Sequence, residues 1–323
     1  MSKKYINSII VFILSFGFLA IVQLVVDNPM ILLERFIKGG GWIEIFLLSC
    51  FAVFLYLKMR NPNQTSKWRT ISWTIFGIAF FLQLIIGIFL NENFLMSGKL
   101  HLPIPAIIVG GALYKLKLTF MPILLISTIV LTGPAWCSQF CYFGAFDNLA
   151  ARTKKKSSAI KKIFKYRNSI LLIFIVAVLI LRLFEISINT AAIAGGAFGI
   201  VGLLLILILS PKKGSMINCV MYCPIGTIVS YLKFINPFRM YIDTNCDSCL
   251  KCTKHCRYIA LTKEDVEKKK PGLSCTYCGD CITTCHTNSI KYKFLGLSSD
   301  KARNAYLIIT ISLFVVFLGV ARI

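Results

Sequence analysis

Apolar runs recur along the chain at residues 5–26, 41–57, 70–90, 118–136, 168–188, 190–210 and 305–321. Each is long enough to cross the hydrocarbon layer of a bilayer as a helix. Charge inside them is sparse: Glu44 in the second, Arg182 and Glu185 in the fifth. The pattern predicts seven spans. Only Lys3 and Lys4 precede the first, and no small-residue cleavage site follows it, so it reads as a retained anchor rather than a cleaved signal. Beyond about residue 240 the pattern turns soluble in character. Segments 240–243 and 290–294 read as short strands, with a charged helix or loop at 263–270 between them.

Composition agrees with a polytopic membrane protein: 57% of residues are apolar and the mean hydropathy is +0.74. A net charge of +23 would point to nucleic acid in a soluble chain. Here the positive-inside rule accounts for it, and no nucleic-acid partner is expected. One basic loop carries Lys58, Arg60, Lys67 and Arg69; the next carries Arg152, Lys154, Lys155, Lys156, Lys161, Lys162, Lys165 and Arg167. Counting from a cytoplasmic N-terminus, both loops and the soluble segment face the cytoplasm of a multi-pass protein of the inner (cytoplasmic) membrane. The stretch 152–167 fixes topology and also suits anionic membrane lipid or an acidic electron carrier.

Chemistry enters with the cysteines. Ten of the thirteen lie between Cys219 and Cys285. Eight form two C-x-x-C-x-x-C-x-x-x-C runs, Cys246, Cys249, Cys252, Cys256 and Cys275, Cys278, Cys281, Cys285. Thiolates at this spacing suit cubane iron–sulfur clusters, three lining one tight loop and the fourth reaching across to the other centre. Cys246, Cys249, Cys252 and Cys285 are therefore assigned to one 4Fe–4S cluster, and Cys275, Cys278, Cys281 and Cys256 to a second. A zinc ribbon rarely uses this doubled spacing, and a disulfide framework belongs to small secreted domains. The fold expected is mainly α: a transmembrane bundle of about seven spans with a small α+β two-cluster ferredoxin domain. Its parts are N-terminal spans at 1–100, a repeated transmembrane unit at 101–236, the ferredoxin-like domain at 237–298 and a last span at 299–323.

The repeat is visible in the residues. Gly110-Gly111-Ala112 opens an apolar stretch ending in Cys137-Ser-Gln-Phe-Cys141, and Gly195-Gly196-Ala197 opens another ending in Cys219-Val-Met-Tyr-Cys223. Two parallel copies related by an axis along the membrane normal would bring the cysteine pairs together. Each pair precedes a short helical stretch, 143–152 or 225–234, whose N-terminus favours a thiolate. Cys137, Cys141, Cys219 and Cys223 are read as a third metal centre, a dithiol relay or structural cysteines.

Taken together, the spans, the paired C-x-x-x-C motifs and the doubled cysteine run resemble the membrane-bound ferredoxin family of nitrate and nitrous oxide respiration. The resemblance covers roughly residues 100 to 290. It implies electron transfer between the membrane quinone pool and a redox partner: a flavoprotein, a ferredoxin or a metalloenzyme subunit. Cys223 is followed by Pro224 as in that family, whereas Cys141 is followed by Tyr142, and Arg257 and His286 replace the prolines after the fourth ferredoxin cysteines. The alternatives are an accessory factor supplying electrons to another metalloenzyme during maturation, and a membrane redox sensor.

The remaining readings are local. Arg182 and Glu185 form either a proton-handling pair on one helix face or a snorkelling pair. His101 is a proton acceptor or an ordinary loop residue. His255 and His286 shape cluster surroundings. Cys50 is a core residue. Gly195 and Gly199 suit close helix packing, and Trp42, Trp68, Trp73 and Trp136 are expected as interfacial anchors.

Overall fold

The computed structural model describes residues 3–95, 104–158, 160 and 163–320. Seven helices there are long and apolar enough to cross a membrane: Tyr5–Val25, Gly40–Met59, Pro62–Phe89, Phe120–Phe140, Ile163–Leu183, Ile188–Lys213 and Ser299–Val320. Each coincides with a predicted span. Ile13, Leu82, Ile173 and Leu207 stand exposed on their flanks, as lipid-facing positions require.

The chain divides into two units, 1–101 with 300–323, and 102–299. The first contains α1 (Lys3–Val25), α2 (Leu32–Phe36), α3 (Gly40–Met59), α4 (Pro62–Phe89) and the C-terminal helix. Glu44, an anomaly inside an apolar run, accepts the backbone N–H of Leu33 at 2.8 Å and so serves the first turn of α2. Arg303 donates to the carbonyls of Met59 (2.9 Å) and Arg60 (2.7 Å) and to the Thr65 hydroxyl (2.8 Å), where the last carbonyls of α3 lack helical partners. Two expectations fail in this unit. Cys50 lies exposed on its span instead of in the core, because the interior side of α3 is taken by Ile45, Ser49, Ala52 and Tyr56. Trp73 is buried at 1% exposure, with the Arg69 guanidinium 5.3 Å from its ring, so it is a packed core residue and not an anchor.

The second unit begins with α5 (Pro105–Lys115), α6 (Phe120–Thr132), α7 (Tyr142–Arg152), α8 (Ile163–Leu183) and α9 (Ile188–Leu204). Short α10 (Ser210–Lys213) extends α9 through a π-turn, and α11 (Pro224–Leu232) follows. Its soluble part holds β1 (Arg239–Ile242), α12 (Lys251–His255), α13 (Lys263–Glu267) and β2 (Ile290–Lys293). The strands pair antiparallel from Arg239 opposite Lys293 to Ile242 opposite Ile290, and Met240, Ile242, Ile290 and Tyr292 turn their side chains inward. Thr262 and Asp265 close a reciprocal capping box at the start of α13.

The expected repeat holds only in part. Gly195 and Gly199 of α9 lie against Ile107 and Ile104, and Gly110 and Tyr114 of α5 meet Phe174 and Arg182 of α8. Helix α5 therefore runs parallel to α8 and antiparallel to α9. Leu116, at φ +47°, ends it, and α6 turns back toward the cysteines. The two Gly-Gly-Ala motifs thus lie on non-equivalent helices: α6 and α9 are the counterparts, and α5 matches α8. Trp136 is 4% exposed within this unit, so it too is a core residue.

Candidate metal centres

Both C-x-x-x-C pairs sit on the same local structure. Gly133, at φ +62°, and Pro134 end α6, and a π-turn over Trp136–Phe140 follows. The N–H of Cys141 closes it on the Trp136 carbonyl at 3.0 Å, and α7 starts at the next residue. In the second copy a π-turn over Asn218–Tyr222 is closed by the Cys223 N–H on the Asn218 carbonyl at 2.7 Å, and α11 starts at Pro224, whose missing N–H costs nothing at that position. Cys141 and Cys223 occupy the N-cap positions with extended backbones. The N–H groups of Phe143 and Gly144 turn toward the first sulfur, and those of Ile225 and Gly226 toward the second. Burial pushes both thiols up, Cys141 to about 12, while the helix N-termini that point at them work the other way and favour negative charge on sulfur.

The two turns meet. Cys137, Cys141, Cys219 and Cys223 lie within electrostatic range of one another. A Cβ on Gly226 would stand 2.2 Å from the Cys219 carbonyl, so only glycine admits this approach. Buried Asp147 accepts the Ser210 hydroxyl at 2.5 Å and the Cys219 N–H at 2.9 Å.

In the soluble segment the two longer cysteine runs share their own backbone pattern. Left-handed residues flank the second cysteine of each, Ser248 and Leu250 in one run, Tyr277 and Gly279 in the other. Three residues after each fourth cysteine stands another, Ile259 or Asn288. The N–H of Ala260 donates to the Cys256 sulfur and that of Ser289 to the Cys285 sulfur, each at 3.3 Å. These curls gather Cys252 with Cys246, Cys285 and Cys249. They also gather Cys281 with Cys278, Cys256 and Cys275, and least strongly with Cys252 of the first group. The fourth cysteine of each run faces the other run's trio. Burial, with Cys246, Cys285 and Cys249 nearby, pushes the Cys252 thiol up to about 11; burial likewise raises Cys256, Cys275 and Cys281. A bound metal must displace those protons, which is how thiolate sites couple loading to pH.

The segment is seated on the cysteine turns of the membrane part. Tyr258 donates to the Cys137 carbonyl at 2.8 Å, and Ser138 to the Thr276 carbonyl at 3.3 Å. Lys233 of α11, pushed down to about 8 by burial, donates to the carbonyls of Leu273 (2.6 Å) and Cys275 (3.1 Å). Arg152 pairs with Asp280 at 2.5 Å, and Arg257 reaches the Gly214 carbonyl at 2.7 Å.

Other predicted residues fall outside these centres. His286 pairs with Asp247 at 3.0 Å, with its second ring nitrogen 4.0 Å from the Cys249 sulfur, so it shapes the surface of the first quartet. His255 is exposed at the end of α12, and burial and the nearby Arg257 hold its pKa down. Arg182 is engaged by the Tyr114 carbonyl, and Glu185 sits in a left-handed turn at φ +49°. His101 lies outside the described residues.

A family model described as "4Fe-4S binding domain" matches residues 117–162, a stretch that contains Cys137 and Cys141 but none of the eight ferredoxin-like cysteines. Two uncharacterized proteins of Methanocaldococcus jannaschii are similar to the chain. MJ0749 is 24% identical over 53% of this chain and 69% of its own length. MJ0750 is 23% identical over 70% of this chain and 94% of its own. No solved structure matches. Seven apolar helices and a 4Fe–4S binding domain define the class: a multi-pass membrane iron–sulfur protein of the electron-transfer kind.

Proposed function

We propose that this protein passes electrons between a donor in the membrane, a quinol or a membrane redox subunit, and a redox protein at the cytoplasmic face. Two 4Fe–4S clusters would be held by Cys246, Cys249, Cys252, Cys285 and by Cys275, Cys278, Cys281, Cys256. The clusters supply one-electron chemistry; the chain supplies position and insulation. One observation carries the reading: Cys252 and Cys281 each gather the two remaining members of their own trio and the fourth cysteine of the opposite run. Interlaced ligation of this kind belongs to two-cluster ferredoxins.

The residues around the thiols have matching roles. Tyr258, Lys233 and Arg257 fasten the cysteine-rich segment to the helices, which shortens any route from the bilayer. Quinol oxidation releases two electrons and two protons, and eight thiolates provide for two one-electron centres. The test is anaerobic mixing of the purified full chain with a short-chain quinol, followed by visible absorbance and EPR. Rapid bleaching is expected. Reduction by a soluble carrier but never by quinol would remove the quinol donor.

A further inference from the structure

Cys137, Cys141, Cys219 and Cys223 form a site distinct from the ferredoxin quartets, on two π-turns supplied by the two repeat copies. We infer that these four cysteines bind a third iron–sulfur cluster of the four-iron type, with Arg167 as its buried counter-charge. This rests on the relay reading above for its role, and on separate residues for its existence.

Three observations converge. Both cysteine pairs adopt one backbone arrangement, first cysteine inside a π-turn and second at a helix N-cap, so the two copies present their sulfurs in the same way. The sulfurs are not gathered as tightly as a single metal ion requires. Among the described residues, only exposed Asp247, Cys249 and His286 bring three ligand atoms within 4.8 Å of one another, so no three sulfurs of the quartet do. A single tetrahedral zinc at about 2.3 Å from each sulfur would need them roughly 3.8 Å apart. The wider spread suits a cluster, and the two ferredoxin quartets share it.

The third observation is Arg167. It is 1% exposed; its Nη2 donates to the Gly226 carbonyl at 3.1 Å and its guanidinium lies 5.9 Å from the Phe164 ring, while among the described residues its Nε and Nη1 have no hydrogen-bond partner. The guanidinium lies within electrostatic range of Cys137. A buried, half-satisfied cation requires an anion beside it. Four neutral thiols do not provide one. Four thiolates on a four-iron cubane do, since that centre carries net negative charge.

Iron, acid-labile sulfide, zinc and copper are to be counted in the full chain after anaerobic purification and reconstitution. The expected content is about twelve irons and twelve sulfides per chain. Cys219→Ser/Cys223→Ser should lose about four irons, and Cys249→Ser/Cys278→Ser should keep the quartet's four. A wild-type chain with about eight irons, alone or with one zinc or copper, overturns the third cluster and leaves the relay standing. Four irons that vanish only with Cys219 and Cys223 would instead overturn the ferredoxin assignment and uphold this one. Arg167→Gln should retain the iron but lower the midpoint potential of one centre and alter its EPR signal, while Arg167→Lys restores most of the shift. Potentials and signals unchanged in Arg167→Gln would refute the counter-charge.

Discussion

The hydroxyl of Tyr258 donates to the carbonyl of Cys137 across 2.8 Å, joining a residue two positions past a ferredoxin-run cysteine to one inside the membrane-helix cysteine turn. Both partners are buried, so the bond is unscreened and water does not replace it when it is lost. Tyr258→Phe should destabilise the chain by about 1–2 kcal/mol. Thermal unfolding in detergent, read alongside proteolysis within 240–290, measures this; an unchanged melting profile would show that the bond contributes nothing.

Interlaced ligation predicts how cysteine variants combine. Cys249→Ser and Cys256→Ser lie in the same run, yet they should strip different clusters. Each alone should remove about four irons, and the double variant about eight. If the double variant loses no more than either single one, all four cysteines of that run serve one cluster.

Glycine 226 offers a matched pair of tests. Gly226→Ala places a methyl 2.2 Å from the Cys219 carbonyl, where backbone has to move, whereas Gly196→Ala meets nothing within 4 Å. The first should cost about 3 kcal/mol and loosen the thiol quartet; the second should be silent. Equal stability of the two variants by chemical denaturation would contradict the close approach.

Lysines from three segments come together beside α12. The Ser157 N–H donates to the Lys254 carbonyl (2.8 Å), the Ser158 N–H to the Lys213 carbonyl (2.9 Å), and Lys154 to the Lys212 carbonyl (3.0 Å). Lys154, Lys155, Lys156, Lys212, Lys213, Lys251 and Lys254 are all exposed there. Electron exchange with an acidic carrier should slow as salt rises from about 0.01 to 0.15 M, and Lys154→Glu/Lys212→Glu/Lys254→Glu should abolish that dependence. Stopped-flow rates that ignore salt would exclude this surface as the docking face.

Much of this was legible in the sequence because it is local. Span length and apolarity mark the seven helices; a 2-2-3 cysteine rhythm marks the two loops that curl alike; strand boundaries at 240–243 and 290–294 fall within a residue of β1 and β2. What escaped depends on tertiary context. The direction of α5 hinges on a left-handed Leu116 that no propensity signals. Trp73 and Trp136 read as interfacial by position, yet packing encloses them. Arg167 looked like the last charge of a topology signal, and only its burial separates it from the lysines before it.

The matched π-turns have a consequence for biogenesis. Each copy supplies just two sulfurs, so neither half-site is complete while the other remains in the translocon or unfolded. Any cofactor spanning them has to be inserted late, after both hairpins have entered the bilayer and closed on each other. Premature delivery would meet a bidentate, easily oxidised dithiol. With the proposed third cluster, the duplicated architecture would make maturation a checkpoint on correct membrane assembly.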